Sequence, residues 1–501
     1  MKNRPLIDRE SFRKLQEKRE SLRKVESFPY SEDLESVMDA DVYTCHCDSK
    51  ITAVVKKMTE RNISSAIVVD DQNLPVGILT ERDIMRRIIA DGSIDISRDS
   101  ISKVMTPEPV TLTPRATIYR ALSVLSAKGI KHLPLIENSR VVGIVTLRQL
   151  LKLRYPEPMA LIEAIQDATD VATLRAIKNK LPAMAATRLD AGRRAYDIVV
   201  MLSLINRDIH CKAMELAMRE LGEPPAPFCL FVTGSHGRLE NLLTPDQDHG
   251  MIIADNEKEK QYDQYYVDLS VKFSQWLNEI GFATCPGYIM CANPLWRKSL
   301  GEWKLQLRYW YEKQVPEVGR FTTILFDAAP IFGEYHLFQE MNTFAHAQLG
   351  SHHEVLRVLH EEEGQHKAPL GLLGRFITEP RGEHRGEFDI KRSGLIFMVE
   401  GIRILALLHG IRETATLKRI GRLISEGFIH KDDGEYFEAA YLFLLHLALK
   451  VQTEKALQGR TDTFINPKKL SRRDRETLHH AFKAITSLQS LVASEFGELV
   501  L

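Results

Sequence analysis

Cysteine is scarce in this sequence, with six residues among 501. Only Cys45 and Cys47 lie close together. Their C-H-C spacing is too tight for zinc pairs, which leave two or more residues between ligands, and too few thiols remain for a disulfide framework. An excess of one charge is also lacking: Lys+Arg and Asp+Glu are both 67. No global field therefore draws the chain to a polyanion, and no basic stripe with interleaved aromatics appears, so no nucleic-acid partner is expected. No apolar run reaches the roughly 18 residues needed to span a bilayer. The opening segment, MKNRPLIDRE, has no apolar stretch of the secretory kind. A reduced cytoplasmic protein without a membrane partner is the expectation.

What is present is an ordinary globular composition, 44% hydrophobic and 27% charged, on a chain long enough for two to four domains. Residues 1–30 are mixed in charge. Phe12, Leu15, Leu22 and Val25 share one helical face there, which would pack on the body or on a second subunit. An internal repeat follows over 31–155. "VGILTERD" at 76–83 recurs as "VGIVTLRQ" at 142–149, 66 residues later. "AIVVDD" (66–71) is echoed by "LPLIEN" (133–138), and "SVMDADVYTC" (36–45) by "KVMTPEPVTL" (103–112). Each copy reads as a βαββα unit, and two such units bury their sheets where one would leave its sheet poorly covered.

After Arg154 the pattern changes. "YPEP" marks a linker, and 160–221 read as helices, with Ile198, Leu202, Ile205 and Ile209 on one apolar stripe. "FCLFVT" (228–233), "MIIA" (251–254) and "TTILFD" (322–327) read as strands. From about 336 to the end the pattern is helical, with long amphipathic stretches at 393–410 and 434–457. The fold class expected is thus α+β multidomain. Its parts are an N-terminal helical segment (1–30), a paired repeat (31–155), an αβ domain with leading helices (156–335) and a C-terminal helical domain (336–501).

The paired repeat resembles a tandem CBS pair, on the G-h-h-T-x-R-D motif in which h is apolar. By that resemblance the cleft between copies takes an adenine nucleotide. Thr80 and Asp83 would hold a ribose, helped by the N–H groups of the helix start. The second copy keeps Thr146 but carries Gln149 in place of the aspartate. The same residues also suit a plain dimerisation module in which Asp83 caps a helix.

"GSHGRLENLLTPDQDHGMII" (234–253) carries the chemistry. Asp246 and Asp248, two apart on a strand, point the same way. Gly234 and Ser235 follow an apolar strand at a tight turn, where N–H groups and a small hydroxyl can approach phosphate. Mg²⁺ takes a few carboxylates plus substrate phosphates, and Asp327 at the end of "TTILFD" is the natural third carboxylate. P-D-Q-D is also ordinary turn chemistry.

The spacing G-S-x(10)-D-x-D resembles the DNA polymerase β-type nucleotidyltransferase superfamily. With "CANPLWRKSLGEW" (291–303), "FDAAPIFG" (326–333) and "FDIKRSGLIFMVEGIRILAL" (388–407) in this order, the chain from about 160 to 501 resembles the CBS-linked signalling nucleotidyltransferases. Those are related to PII-protein uridylyltransferase and glutamine synthetase adenylyltransferase. The resemblance implies magnesium or manganese on Asp246, Asp248 and Asp327, all catalytic. It implies an NTP donor on Gly234 and Ser235, with Arg238 and Lys391 reaching phosphate, and an acceptor hydroxyl on a protein or small molecule. Arg238 could equally pair with Glu240 or an aspartate. The chain departs from the pattern at His236, Pro245 and Ala329, where glutamate, threonine and arginine are expected.

Trp296, Arg297, Lys298 and Trp303 suit either nucleotide stacking or a structural aromatic cluster. "HHEVLRVLHEEEGQH" (352–366) lacks the i, i+4 histidines of a zinc helix. The expectation is a magnesium-dependent nucleotidyltransferase regulated through its CBS pair, working as a homodimer. Its rivals are a non-catalytic nucleotide sensor and a scaffold.

Overall fold

The structure is a computed structural model, and it describes residues 32–90, 94–151, 157–256, 259–313, 324–351, 355–357, 360, 368–371 and 375–498. The leading helix expected over 1–30 and most of the histidine-rich segment at 352–366 lie outside them. The chain divides into two compact units, one over 28–167 and one that includes 168–501. Among the described residues no helix is long and apolar enough to cross a membrane.

The first unit contains the repeat. In copy one, β1 (Thr44–His46) runs parallel to β2 (Ser65–Val69), which forms an antiparallel hairpin with β3 (Pro75–Thr80). Helix Ile51–Glu60 buries Ile51, Val54 and Met58, spaced three and four apart, against that sheet. Copy two repeats the plan with β5 (His132–Glu137), β6 (Arg140–Thr146) and helix Ile118–Ala127.

The copies interlock by exchanging their leading segments. β4 (Thr106–Pro107), which opens copy two, pairs with β3 of copy one. Asp39, which opens copy one, bridges to Ile144 in β6. Glycine makes each crossing possible. A Cβ on Gly77 would stand 2.3 Å from Met105 Sδ, and one on Gly143 would stand 2.6 Å from Met38 Sδ. The two methionines of the sequence repeat therefore fill the space above the two glycines of the other copy. Neither copy closes its sheet alone.

The second unit is built on a four-stranded sheet of order β10-β7-β8-β9, made of β7 (Phe228–Val232), β8 (His249–Ile253), β9 (Arg297–Ser299) and β10 (Ala329–Gly333). β7 pairs antiparallel with both β8 and β10, and β8 runs parallel to β9. The third strand expected at "TTILFD" is displaced: Asp327 lies in a turn, and the strand begins at Ala329. The pattern misled because "ILF" is apolar on every residue. Such a run fits a buried turn beside a strand as well as the strand itself.

Helix Ala195–Leu221 packs against β10 with Ile198, Leu202, Ile205 and Ile209 buried, and stops at Gly222 with φ of 90°. Trp296 and Trp303 are core residues 5.8 Å apart, edge to face, and Trp303 Nε1 donates to the Met251 carbonyl. Of the two readings of that cluster, this geometry is the structural one. Helices Ile396–Leu408, Thr416–Ser425, Lys431–Ala456 and Arg472–Glu498 complete the same compact unit.

Candidate functional site

β7 is buried along its whole length and is followed by Thr233, whose N–H donates to the Asp248 carbonyl at 2.9 Å. The chain then turns at Gly234, with φ of 56°, into a short helical turn, Gly234–Arg238. A left-handed Leu239 ends that turn, and Arg207 from the long helix donates to the carbonyls of His236 and Gly237. Gly237 has no alternative, since a Cβ there would meet the Asp327 carbonyl oxygen at 1.6 Å.

Asp246 and Asp248 flank Gln247 on the extended lead into β8. Gln247 is buried on the opposite side, donating to the carbonyls of Ser274 and Phe282, while its own N–H donates to Ala283. This stitching leaves the two carboxylates on one side, within 4.8 Å of each other. It also draws the 283–291 segment alongside, which delivers Cys285 to the same place: its Sγ lies within 4.8 Å of both carboxylates. Cys285 carries no spacing signal in the sequence. Nothing local shows that it meets residues about 40 positions earlier.

The electrostatics follow from this crowding. Burial, with the charge of Asp246 beside it, pushes the Asp248 carboxyl up to about 6, while the Cys285 thiol, the Lys391 ammonium and Arg238 oppose the rise. Burial pushes the Cys285 thiol up to about 12, with the Asp248 charge adding to it. Lys391, at the head of the wide helical turn Lys391–Leu395, is thus close enough for its charge to be felt at Asp248. Gly234 presents its open face to the pair: a Cβ there would stand 3.2 Å from Asp248 Oδ2. Ser235 Oγ donates to Asn241 Oδ1 at 2.8 Å, so Asn241, unremarked in the sequence, fixes that hydroxyl.

Asp327, expected as the third metal-binding carboxylate, meets cations of the chain's own. It is fully buried among three arginines: Arg238 at 2.6 Å, Arg403 at 2.7 Å and Arg419 at 2.7 Å. Burial acts to raise its carboxyl, yet the three guanidiniums hold it well below the usual carboxylate range. Arg238 shares this cluster. That side chain joins Asp327 to Glu240, 2.7 Å away, and is 11% exposed, the arrangement of the ion-pair reading of this residue. Glu240 also accepts from the Thr416 N–H at 2.7 Å. The pattern's arginine is missing at Ala329, while three arginines from other segments surround this aspartate.

His236 replaces the expected glutamate for a packing reason. Its ring is buried, 4.9 Å from that of His210, with Phe282 behind. Elsewhere, Thr80 and Asp83 form a reciprocal capping box: Asp83 Oδ2 accepts from Thr80 N at 2.9 Å and Oγ1 at 2.7 Å. Asp83 Oδ1 accepts from Thr106 Oγ1 at 3.0 Å. In copy two Gln149 Oε1 accepts from Thr146 N at 2.7 Å and Oγ1 at 2.9 Å. The glutamine therefore does the aspartate's capping work. His46, Cys47 and Asp48 also bring donor atoms within 4.8 Å of one another at the surface.

Comparison with known proteins follows these divisions. Residues 34–90 and 101–155 each match the CBS domain model. Residues 179–317 match the model described as "Putative nucleotidyltransferase DUF294", and 353–496 the one described as "Putative nucleotidyltransferase substrate binding domain". The mitochondrial CBS domain-containing protein CBSX3 of Arabidopsis thaliana is 31% identical over 112 residues, 22% of this chain and 54% of that protein. An uncharacterized 17.7 kDa protein of Acidianus ambivalens is 36% identical over 112 residues, 22% of this chain and 66% of its own length. This chain thus spans between half and two thirds of these relatives. Among solved structures, the CBS domain pair of protein MJ0100, in complex with methylthioadenosine and S-adenosyl-L-methionine, is 24% identical. It covers 24% of this chain and 98% of that one, with a TM-score of 0.23. The chain thus carries, in this order, two matches to the CBS domain model, one to the model described as a putative nucleotidyltransferase and one to the model of its substrate-binding domain.

Proposed function

We propose that the chain transfers a nucleoside monophosphate from an NTP to a hydroxyl on a protein or small molecule, with magnesium or manganese, under control of an adenine nucleotide at the CBS pair. The observation that carries this is the convergence of Asp246 and Asp248 on the open face of Gly234 at the end of β7. A divalent ion fits there: two carboxylates share one side, and the cradle beside them is one that any side chain at position 234 would fill. When bound, such an ion neutralises triphosphate charge.

The chain's own residues supply the rest. The N–H groups of the Gly234–Ser235 turn and the Lys391 ammonium hold phosphate oxygens. Asp248, raised towards neutrality, accepts the acceptor hydroxyl's proton as the new O–Pα bond forms and pyrophosphate departs. The helices after about 335 present the acceptor. In the CBS pair, Thr80, Asp83 and Thr146 stand at the strand-to-helix turns where a ribose would bind. Met85 and Ile89 are exposed on the turn after Asp83, apolar surface that a second copy would cover in a homodimer.

A non-catalytic nucleotide sensor is the second reading. The withdrawal of Asp327 into the arginine cluster favours it, because two carboxylates remain where three were expected. α-Labelled transfer and pyrophosphate release with each of the four NTPs, for the native chain and for Asp246→Ala/Asp248→Ala, separate the two. A labelled product lost in the variant supports the transferase. Tight magnesium-dependent NTP binding without transfer supports the sensor.

A further inference from the structure

The third donor beside Asp246 and Asp248 is sulfur. We propose that Asp246, Asp248 and Cys285 form a binding site for a thiophilic divalent transition metal of the zinc or cobalt class, occupying the same place as the magnesium of the proposed function. The inference rests on that reading only for the magnesium, since the three donors are present whatever the chain catalyses.

Three side chains from two separate segments converge within 4.8 Å, which is the span of donors around one ion. They arrive there by construction. Gln247 pins the 246–248 strand to Phe282 and Ala283, and His249 accepts from the Cys291 N–H at 3.1 Å. The thiol is therefore held against the carboxylates from both ends of its loop. Cys285 is 5% exposed, and its Sγ lies within 4.8 Å of both carboxylates.

Donor chemistry decides which ion gains from this sulfur. Magnesium demands oxygen at short range in an octahedron and gains nothing from it. Zinc and cobalt take carboxylate and thiolate together. Three protein ligands with one open position is the pattern of catalytic zinc sites. On binding, the metal–sulfur bond forms as the S–H proton leaves to solvent, and the two carboxylates balance the ion's charge. With three protein donors, a phosphate oxygen of a bound nucleotide would be able to complete the shell. The consequence is competition: such an ion, once seated, displaces magnesium and holds the nucleotide differently.

The test uses the full chain in a Cys47→Ser background, because His46, Cys47 and Asp48 form another donor cluster. Cobalt(II) is titrated while the near-ultraviolet sulfur-to-cobalt charge-transfer band is recorded. The band is expected at one equivalent, is bleached by zinc, and is absent from Cys285→Ser. Zinc affinity by competition should fall in that variant by more than the about 10–100-fold seen when only an outer-shell partner of a metal ligand is disturbed. Thermal melts confirm that the variant folds, and Cys285→Ala provides a second replacement. A band that survives in both variants, or no band in the parent, overturns the proposal. Magnesium-dependent transfer, measured on the parent alone, reports separately on the proposed function: a cobalt band without transfer leaves the metal site and removes the transferase, and transfer without a band does the reverse.

Discussion

Gly234 leans its bare face on Asp248: a Cβ would stand 3.2 Å from the carboxylate oxygen, tighter than an ordinary contact, on a backbone whose φ of 56° already disfavours any side chain. Gly234→Ala should therefore cost about 1–2 kcal/mol of stability from the left-handed backbone. It should weaken magnesium-dependent NTP binding by more than that cost suggests, because the methyl enters the cradle. Melting temperature and NTP Kd, measured together, separate the two effects. Unchanged affinity would remove the cradle from the site.

Asp327 gives the opposite kind of prediction. Asp327→Ala leaves Arg238, Arg403 and Arg419 buried without their shared anion, and should destabilise the chain by about 3–5 kcal/mol. Denaturant midpoints read this directly. A variant of native stability that has lost only metal affinity would restore Asp327 to the metal site.

The histidines behind the site predict acid sensitivity. Burial drives His210 down to about 3, and burial with the neighbouring charges drives His236 and His249 well below their ordinary value. Around them stand Lys178, itself held down to about 7 by burial, and Arg207. The unfolded imidazoles take up protons near pH 6.5 and the folded ones do not. Stability is thus complete above that pH and falls by about 1.4 kcal/mol per histidine for each unit below it, until the folded value is reached. His236→Leu removes one such group, so the gap between urea midpoints at pH 7 and pH 5 should narrow.

Lys391 acts on Asp248 at a distance. Its charge lowers the carboxyl that burial raises. In Lys391→Ala the acidic limb of kcat/KM for transfer should move to higher pH, and KM for NTP should rise. An unmoved limb would place the ammonium out of reach of the site.

The CBS copies should respond alike to loss of their caps. Asp83→Ala and Gln149→Ala each remove a side chain that accepts from the threonine three residues earlier. Each should cost about 0.5–2 kcal/mol, the usual worth of a helix cap. The loss should be larger for Asp83, which also accepts from Thr106. Melting curves of the two variants test this, and AMP binding by calorimetry tests whether the ribose site goes with the cap.

Local pattern was enough for much of this protein. The 66-residue offset between its recurring motifs declares two copies of one βαββα unit, because each unit writes its own periodicity into the chain. The helix stripe at Ile198, Leu202, Ile205 and Ile209 and the i, i+2 placement of Asp246 and Asp248 are equally local, each following from the geometry of one helix or one strand. Only the tertiary structure decided the partners. Cys285 reaches the carboxylates through the pinning of Gln247, about 40 residues away, and no spacing encodes that meeting. Asp327 was legible as an acidic residue after an apolar run, but its fate depended on Arg403 and Arg419, each on a helix from later in the chain. A carboxylate in water is free to bind a metal, whereas one buried among three guanidiniums is already neutralised. Sequence sets the type of each charge, and the fold sets which opposite charge it is buried against.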